Sequence, residues 1–191
     1  MDSIIVVWLL IIVYFAADFG LRKGEKARSF EAGKRDQKTS FLLSLTHGAM
    51  LLAILLCPIL NSYHIGQIDN LPVVQWIGFG MMIVGFVIRT WAMLVLGQFY
   101  TRTLQTTEDQ QIVEQGPYRL IRHPGYLGSL SFWLGAGLAT GNWMVTIGIT
   151  IVLGLAYRSR IQAEETMLFT TFGQAYQEYS RRTWRLIPFV F

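Results

Sequence analysis

Three stretches of this chain stay apolar for about the thickness of a membrane, and a fourth runs longer. The first three are Ser3–Leu21, Thr39–Leu60 and Leu71–Gly97. A helix rises about 1.5 Å per residue, so about 20 apolar residues cross a hydrocarbon core of about 30 Å. The fourth region, Tyr126–Tyr157, is broken by Gly141-Asn142. It is too long for one crossing and slightly short for two. A tight helical hairpin turning at Thr140–Asn142 fits best and predicts about five crossings. Four crossings plus a re-entrant segment is the competing count. The pattern predicts an all-α, polytopic helical membrane protein, and no stretch outside the spans is long enough for a second domain with its own core.

Composition agrees with the pattern. Hydrophobic residues make up 52% of the chain and charged residues 15%, against about 25% charged in a typical soluble domain. The one cysteine, Cys57, lies inside an apolar run, which excludes a disulfide framework and a Cys-based metal site. Only Asp2 precedes the first apolar run, and the basic residues all follow it. A cleaved signal peptide would begin with a basic region, so a retained first span is expected.

Charge adds an orientation. Arg22, Lys23, Lys26, Arg28, Lys34, Arg35 and Lys38 lie between spans one and two. Arg102, Arg119 and Arg122 follow span three, and Arg158, Arg160, Arg181, Arg182 and Arg185 follow the hairpin. The connections on the other side, Asn61–Asn70 and Thr140–Asn142, carry no basic residue, and Arg89 falls within a span. The excess of lysine and arginine on the cytoplasmic side of membrane proteins then places the N-terminus outside and the C-terminus in the cytoplasm. The expected location is the inner membrane of a bacterial host or the endoplasmic reticulum of a eukaryotic one. The basic first loop is suited to anionic lipid headgroups. Nucleic acid is not an expected partner, because these charges abut the membrane and Glu25, Glu31 and Asp36 interleave them.

Two polar stretches carry the candidate chemistry. The first is "GQFYTRTLQTTEDQQIVEQGPYRLIRHPGY", residues 97 to 126. Its Gly116-Pro117 and His123-Pro124-Gly125 groups fix tight turns, since proline presets φ and glycine accepts positive φ. Such a loop can hold backbone donors and the side chains of Tyr118 and His123 in a fixed concavity. The ordinary alternative is a well-ordered connector whose arginines meet lipid phosphates. The second stretch is "YRSRIQAEETMLFTTFGQAYQEY", residues 157 to 179. Arg160, Glu164, Leu168, Phe172 and Tyr176 recur every four residues and share a face while the helix lasts, with Gly173 a candidate for its end. A surface ion pair would explain Arg160 and Glu164, but the pair continues an apolar row where the helix leaves the membrane, which favours function.

Other residues carry less. Glu164 and Glu165 point about 100° apart and no second histidine lies near His123, so no metal site is expected. His47 and His64 are lone histidines near span ends. Arg89 is suited to snorkelling or to pairing within the bundle. Gly78-Phe79-Gly80 lacks the strand-turn-helix setting of a nucleotide fingerprint and reads as close helix packing.

With these residues in view, the chain resembles the isoprenylcysteine carboxyl methyltransferase family, with the phospholipid methyltransferases as neighbours. The resemblance rests on "LGQF" (Leu96–Phe99), "IVEQGPYRLIRHPGYLG" (Ile112–Gly128) and "EETMLFTTFGQAYQEY" (Glu164–Tyr179), followed by Pro188. It covers about the last hundred residues, while the first two spans match only as membrane segments. It implies one membrane-embedded methyltransferase domain over residues 1–191, with two N-terminal spans in 1–70 and the catalytic core in 71–191. It also implies S-adenosylmethionine as cofactor, in a cytoplasmic pocket enclosed by the loop and the C-terminal segment. The cofactor set carried over comprises Gln105, Gln110, Gln111, Ile112, Val113, Tyr118, His123, Pro124, Gly125, Tyr126 and Glu164. Glycine at 125 departs from the larger residue often found there. Arg160, one turn before the paired acids, falls on the family's arginine for a substrate carboxylate. The implied acceptor is a lipophilic molecule from the bilayer, most simply a prenylcysteine-type carboxylate. A phospholipid amine N-methyltransferase and a non-catalytic membrane scaffold are the rival readings.

Overall fold

The computed structural model describes residues 2–21, 39–68, 71–99 and 111–188. Six α-helices appear among them: α1 (Asp2–Leu21), α2 (Thr39–Ser62), α3 (Leu71–Leu96), α4 (Pro124–Ala139), α5 (Trp143–Phe172) and α6 (Gln174–Arg181). The chain is an all-α, multi-pass membrane protein. Four helices, α1, α2, α3 and α5, are long and apolar enough to cross a membrane. The turn expected between the halves of the fourth apolar region falls at Thr140–Asn142, between α4 and α5. With 16 residues α4 extends only about 24 Å.

Hydrogen bonds sort the helix ends into two groups. At one end the Gln75 amide donates to the Ser3 hydroxyl at 3.0 Å, and Asn142 organises the α4–α5 turn. Asn142 is fully buried, and its side-chain oxygen caps α5 by accepting from the Val145 amide at 3.1 Å. Its Nδ2 donates to Asn61 Oδ1 at 2.8 Å and to the Ile65 carbonyl at 2.7 Å. Asn61 in turn donates to the Thr140 carbonyl, so the end of α2 is tied to the turn. A buried asparagine with its donors and acceptor satisfied fixes the local geometry, because leaving any of them unmet would be costly. At the other end lie Asp18, Ser40, Arg89, Tyr126 and Arg160, which meet one another as described below.

The helices pack unevenly. Gly78 and Gly85 of α3 face Gly135 and Gly128 of α4 so closely that an added side-chain carbon at Gly85 would lie 2.5 Å from the Gly128 carbonyl oxygen. The seven-residue spacing within each pair keeps the glycines on one seam, as the small residues of a membrane helix interface do. Gly78 therefore serves close packing as expected, whereas Gly80 faces open space. Between α1, α4 and α5 a buried hydroxyl triad joins the elements: Tyr157 donates to Ser129 Oγ, and Tyr14 bonds the same oxygen at 2.7 Å.

Beyond α5 the chain turns at Gly173, whose φ of +54° ends the helix, forms α6, and returns alongside the segment before α4. Ile121 and Trp184 form a parallel bridge. The Trp184 amide donates to the Leu120 carbonyl at 2.9 Å, and the Arg122 amide to the Trp184 carbonyl at 2.8 Å.

Candidate active site

The polar loop is locally rigid for reasons visible in its residues. Gly116 adopts φ +54°, and Pro117 then starts a 3-10 turn, Gly116–Arg119, that buries Tyr118. The Tyr179 hydroxyl of α6 donates to the Tyr118 carbonyl at 2.8 Å. Burial pushes that hydroxyl, and the Tyr176 hydroxyl beside Glu165 and Glu164, well above the ordinary tyrosine range, so both stay protonated. Pro124 occupies the first turn of α4, where a missing amide proton costs nothing. The residues expected as a turn, His123-Pro124-Gly125, are thus the start of a helix.

The paired glutamates divide their work. Glu165 is buried and turns toward the loop and the returning segment. It accepts from Arg122 Nε at 2.8 Å and from Arg185 Nη2 at 2.8 Å, and lies 3.3 Å from His123 Nε2. Arg122 also donates to the Ser180 and Thr183 carbonyls. One carboxylate therefore ties α5, the loop and the chain beyond α6 together. Glu164 faces the other way, and its Oε2 accepts the Tyr126 hydroxyl at 2.7 Å. That same hydroxyl accepts from Arg160 Nε at 3.3 Å. Arg160, only 3% exposed, also donates through Nη1 to Thr39 Oγ1 at 2.9 Å and Ser40 Oγ at 2.7 Å.

These groups line a cavity of about 770 Å³. From the expected set, Gln111, Ile112, Val113, Tyr118, His123, Gly125, Tyr126, Arg160 and Glu164 all reach its wall. Pro124 is buried behind it at the head of α4. Gln105 and Gln110 lie outside the described residues. The four-residue row holds across the break at Gly173, since Leu168, Phe172 and Tyr176 join Arg160 and Glu164 at the cavity.

Several wall residues lie outside the expected set, among them Arg89, which pairs within the bundle, one of the two roles its place in a span suited. Arg89 pairs with Asp18, both side chains being less than 15% exposed. It also donates to the Gly125 carbonyl at 3.3 Å and lies 5.2 Å over the Tyr14 ring. Arg89 therefore joins α1, α3 and the first turn of α4 at the cavity edge. Ser40, Ser44 and His47 of α2 also reach the wall. The Asp18–Arg89 and Ser40–Arg160 pairings join helices 71 and 120 residues apart, so spacing could not reveal them.

The profile of the isoprenylcysteine carboxyl methyltransferase (ICMT) family matches residues 76–170, the stretch that holds α4, the loop and most of α5. The chain belongs to this family. A relative from Oryza sativa subsp. indica, named "Probable protein-S-isoprenylcysteine O-methyltransferase", is 28% identical over 188 residues, covering 96% of each chain. The protein-S-isoprenylcysteine O-methyltransferase of Schizosaccharomyces pombe is 28% identical, over 74% of this chain and 66% of that one. The solved structure of a eukaryotic intramembrane Ras methyltransferase, ICMT, superposes with a TM-score of 0.65 at 25% identity. That match covers 78% of this chain, which spans about half (52%) of the solved one. The ICMT-matched stretch contains Tyr126, Arg160 and Glu164, while α1 and α2, which complete the cavity, lie before it.

Proposed function

We propose that the protein transfers a methyl group from S-adenosylmethionine to the carboxylate of a lipophilic, prenylcysteine-type acceptor taken from the bilayer. The observation that carries this reading is the Arg160–Tyr126–Glu164 chain, in which one hydroxyl joins a buried cation to a carboxylate on the cavity wall.

The donor set fits the cofactor. The cavity lies within the range of about 300–1,000 Å³ usual for small-molecule sites. Glu164 suits an ammonium or ribose hydroxyls, and His123, Tyr118 and Tyr126 offer hydrogen bonds and ring faces. The loop backbone near Ile112 and Val113 offers further donors and acceptors. S-adenosylmethionine, when bound, supplies a methyl group made electrophilic by its sulfonium centre.

The chain's own residues do the positioning. Arg160, its planar guanidinium steadied by Thr39, Ser40 and Tyr126 hydroxyls, holds an acceptor carboxylate in register. No general base is required, because a carboxylate is already ionised near neutral pH. An ammonium acceptor would be repelled by the same cation and would need a base, which disfavours the phospholipid amine reading. Phe15, Phe19, Leu43 and Leu51 supply an apolar wall to the same cavity, suited to an acceptor's lipid portion. The basic loops face the cytoplasm in this reading, with α4 as a short fifth crossing alongside α3, and all five long helices form one unit around the site.

The test is methyl transfer by purified protein from methyl-labelled S-adenosylmethionine to a panel of prenylcysteines, phospholipids and a membrane lipid extract. Base-labile label on prenylcysteine is the expected result. Base-stable label on phospholipid amines would support the rival enzyme, and no transfer to any lipid would support the scaffold.

A further inference from the structure

Ser40, Leu43, Ser44, His47, Gly48 and Leu51 all line the cavity. Their spacing of three and four residues puts them on one stripe of α2. The stripe starts at Ser40, which holds Arg160, and ends at Leu51, about 16 Å further along the helix axis. Within the stripe, Gly48 has no side chain. A carbon added there would meet no atom within 4 Å, and the backbone is not in the left-handed region. Other glycines also face open space, but among the described residues Gly48 alone of these lines the cavity.

The wall beside Gly48 is firm. His47 Nδ1 bonds the Leu43 carbonyl at 2.7 Å, and the His47 ring lies 5.5 Å from that of the fully buried Trp133. Phe15 of α1 completes the group, 6.1 Å from Trp133. On a neighbouring face of α2, Thr46, Met50, Ile54 and Cys57 are buried, so the helix cannot roll a new side chain away without exposing its core contacts.

We propose that Gly48 sets the longest acceptor tail that the cavity admits, acting as a specificity-determining position for the apolar part of the substrate. The inference rests on the methyl-transfer reading above, with the carboxylate anchored at Arg160 and the tail lying along α2 toward Leu51. A side chain at position 48 then narrows the far part of the cavity and leaves the reacting end untouched.

Gly48→Ala, Gly48→Leu and Gly48→Phe test this on N-acetylcysteines carrying S-geranyl, S-farnesyl and S-geranylgeranyl groups. Alanine and leucine favour helix over glycine, and melting and calorimetric S-adenosylmethionine binding verify that each variant is folded and loaded. The expected result is a loss of about tenfold or more in kcat/KM for the longest acceptor in Gly48→Leu, deeper in Gly48→Phe. The geranyl acceptor should lose least of the three, since the smallest part of its tail extends beyond the new side chain. Gly48→Ala should fall between. Equal losses at all three lengths, or an unchanged length preference, would overturn the role of Gly48 while the proposed reaction stands. A wild-type protein that methylates none of the three would instead overturn the reaction and the tail assignment with it.

Discussion

The α3–α4 interface and the gap between α1 and α2 use the same kind of residue to opposite ends. In the first, four glycines let two backbones approach until nothing more fits. In the second, a single glycine faces open space on the wall of a cavity. α1 rests on α3 and α4, α2 rests on α5, and the volume lies where those two supports diverge. The tight seam fixes the root of the polar loop, because Arg89 and Gly125 sit at its end. The loose region leaves space for a ligand. A membrane bundle cannot rely on water to drive its helices together, so packing distance decides which interface is structural and which is a site.

That contrast can be broken most severely at the seam. Gly85→Leu should lose folded protein or cost more than about 3 kcal/mol, because its side chain meets α4 backbone rather than a movable side chain. Yield of monodisperse protein in detergent and its melting temperature measure this, and near-normal melting would show that the seam is looser than described.

At the cavity the largest effect should be chemical. Arg160→Gln should leave S-adenosylmethionine affinity largely intact and reduce methyl transfer to a carboxylate by well over tenfold, since losing one partner of a desolvated charge pair costs about 2–5 kcal/mol. Arg160→Lys should recover only part, because an ammonium lacks the bidentate fork. Steady-state kinetics with calorimetry separate binding from turnover, and undiminished turnover in Arg160→Gln would remove this residue from the acceptor site. The smallest effect sharpens the contrast. Gly48→Ala should raise stability slightly, by about 0.5–1 kcal/mol, the ordinary gain of alanine in a helix with no clash to offset it. A lowered melting temperature would mean that position 48 is packed, not open.

The sequence disclosed the elements better than their pairings. Hydropathy located α1, α2 and α3 within two residues, and Gly141-Asn142 marked the α4–α5 turn because glycine and asparagine are out of place in an apolar run. The row from Arg160 to Tyr176 was legible from helical spacing alone. The cavity face of α2 was not, since a membrane helix is apolar on both its lipid and its protein sides and periodicity gives little contrast. The Asp18–Arg89 pair and the Thr39 and Ser40 contacts to Arg160 join distant segments, which local spacing cannot encode. Glu164 and Glu165 are chemically identical neighbours. Only the packed structure shows that one meets the cavity and the other binds Arg122 and Arg185.

The return of the chain beside the loop has a consequence for biogenesis. His123 receives its backbone partner from Arg185, and Arg122 receives its own from Trp184, so neither is fixed until those residues have left the ribosome. By then every long apolar helix has been synthesised and is available for insertion. A nascent chain stopped before Trp184 therefore has its membrane helices but lacks the clamp that holds the loop. The glycine seam and the Asn142 cluster, both made from residues before 150, can hold such a chain together while it waits. Synthesis thus supplies the contacts among the membrane helices first and the clamp on the loop after them.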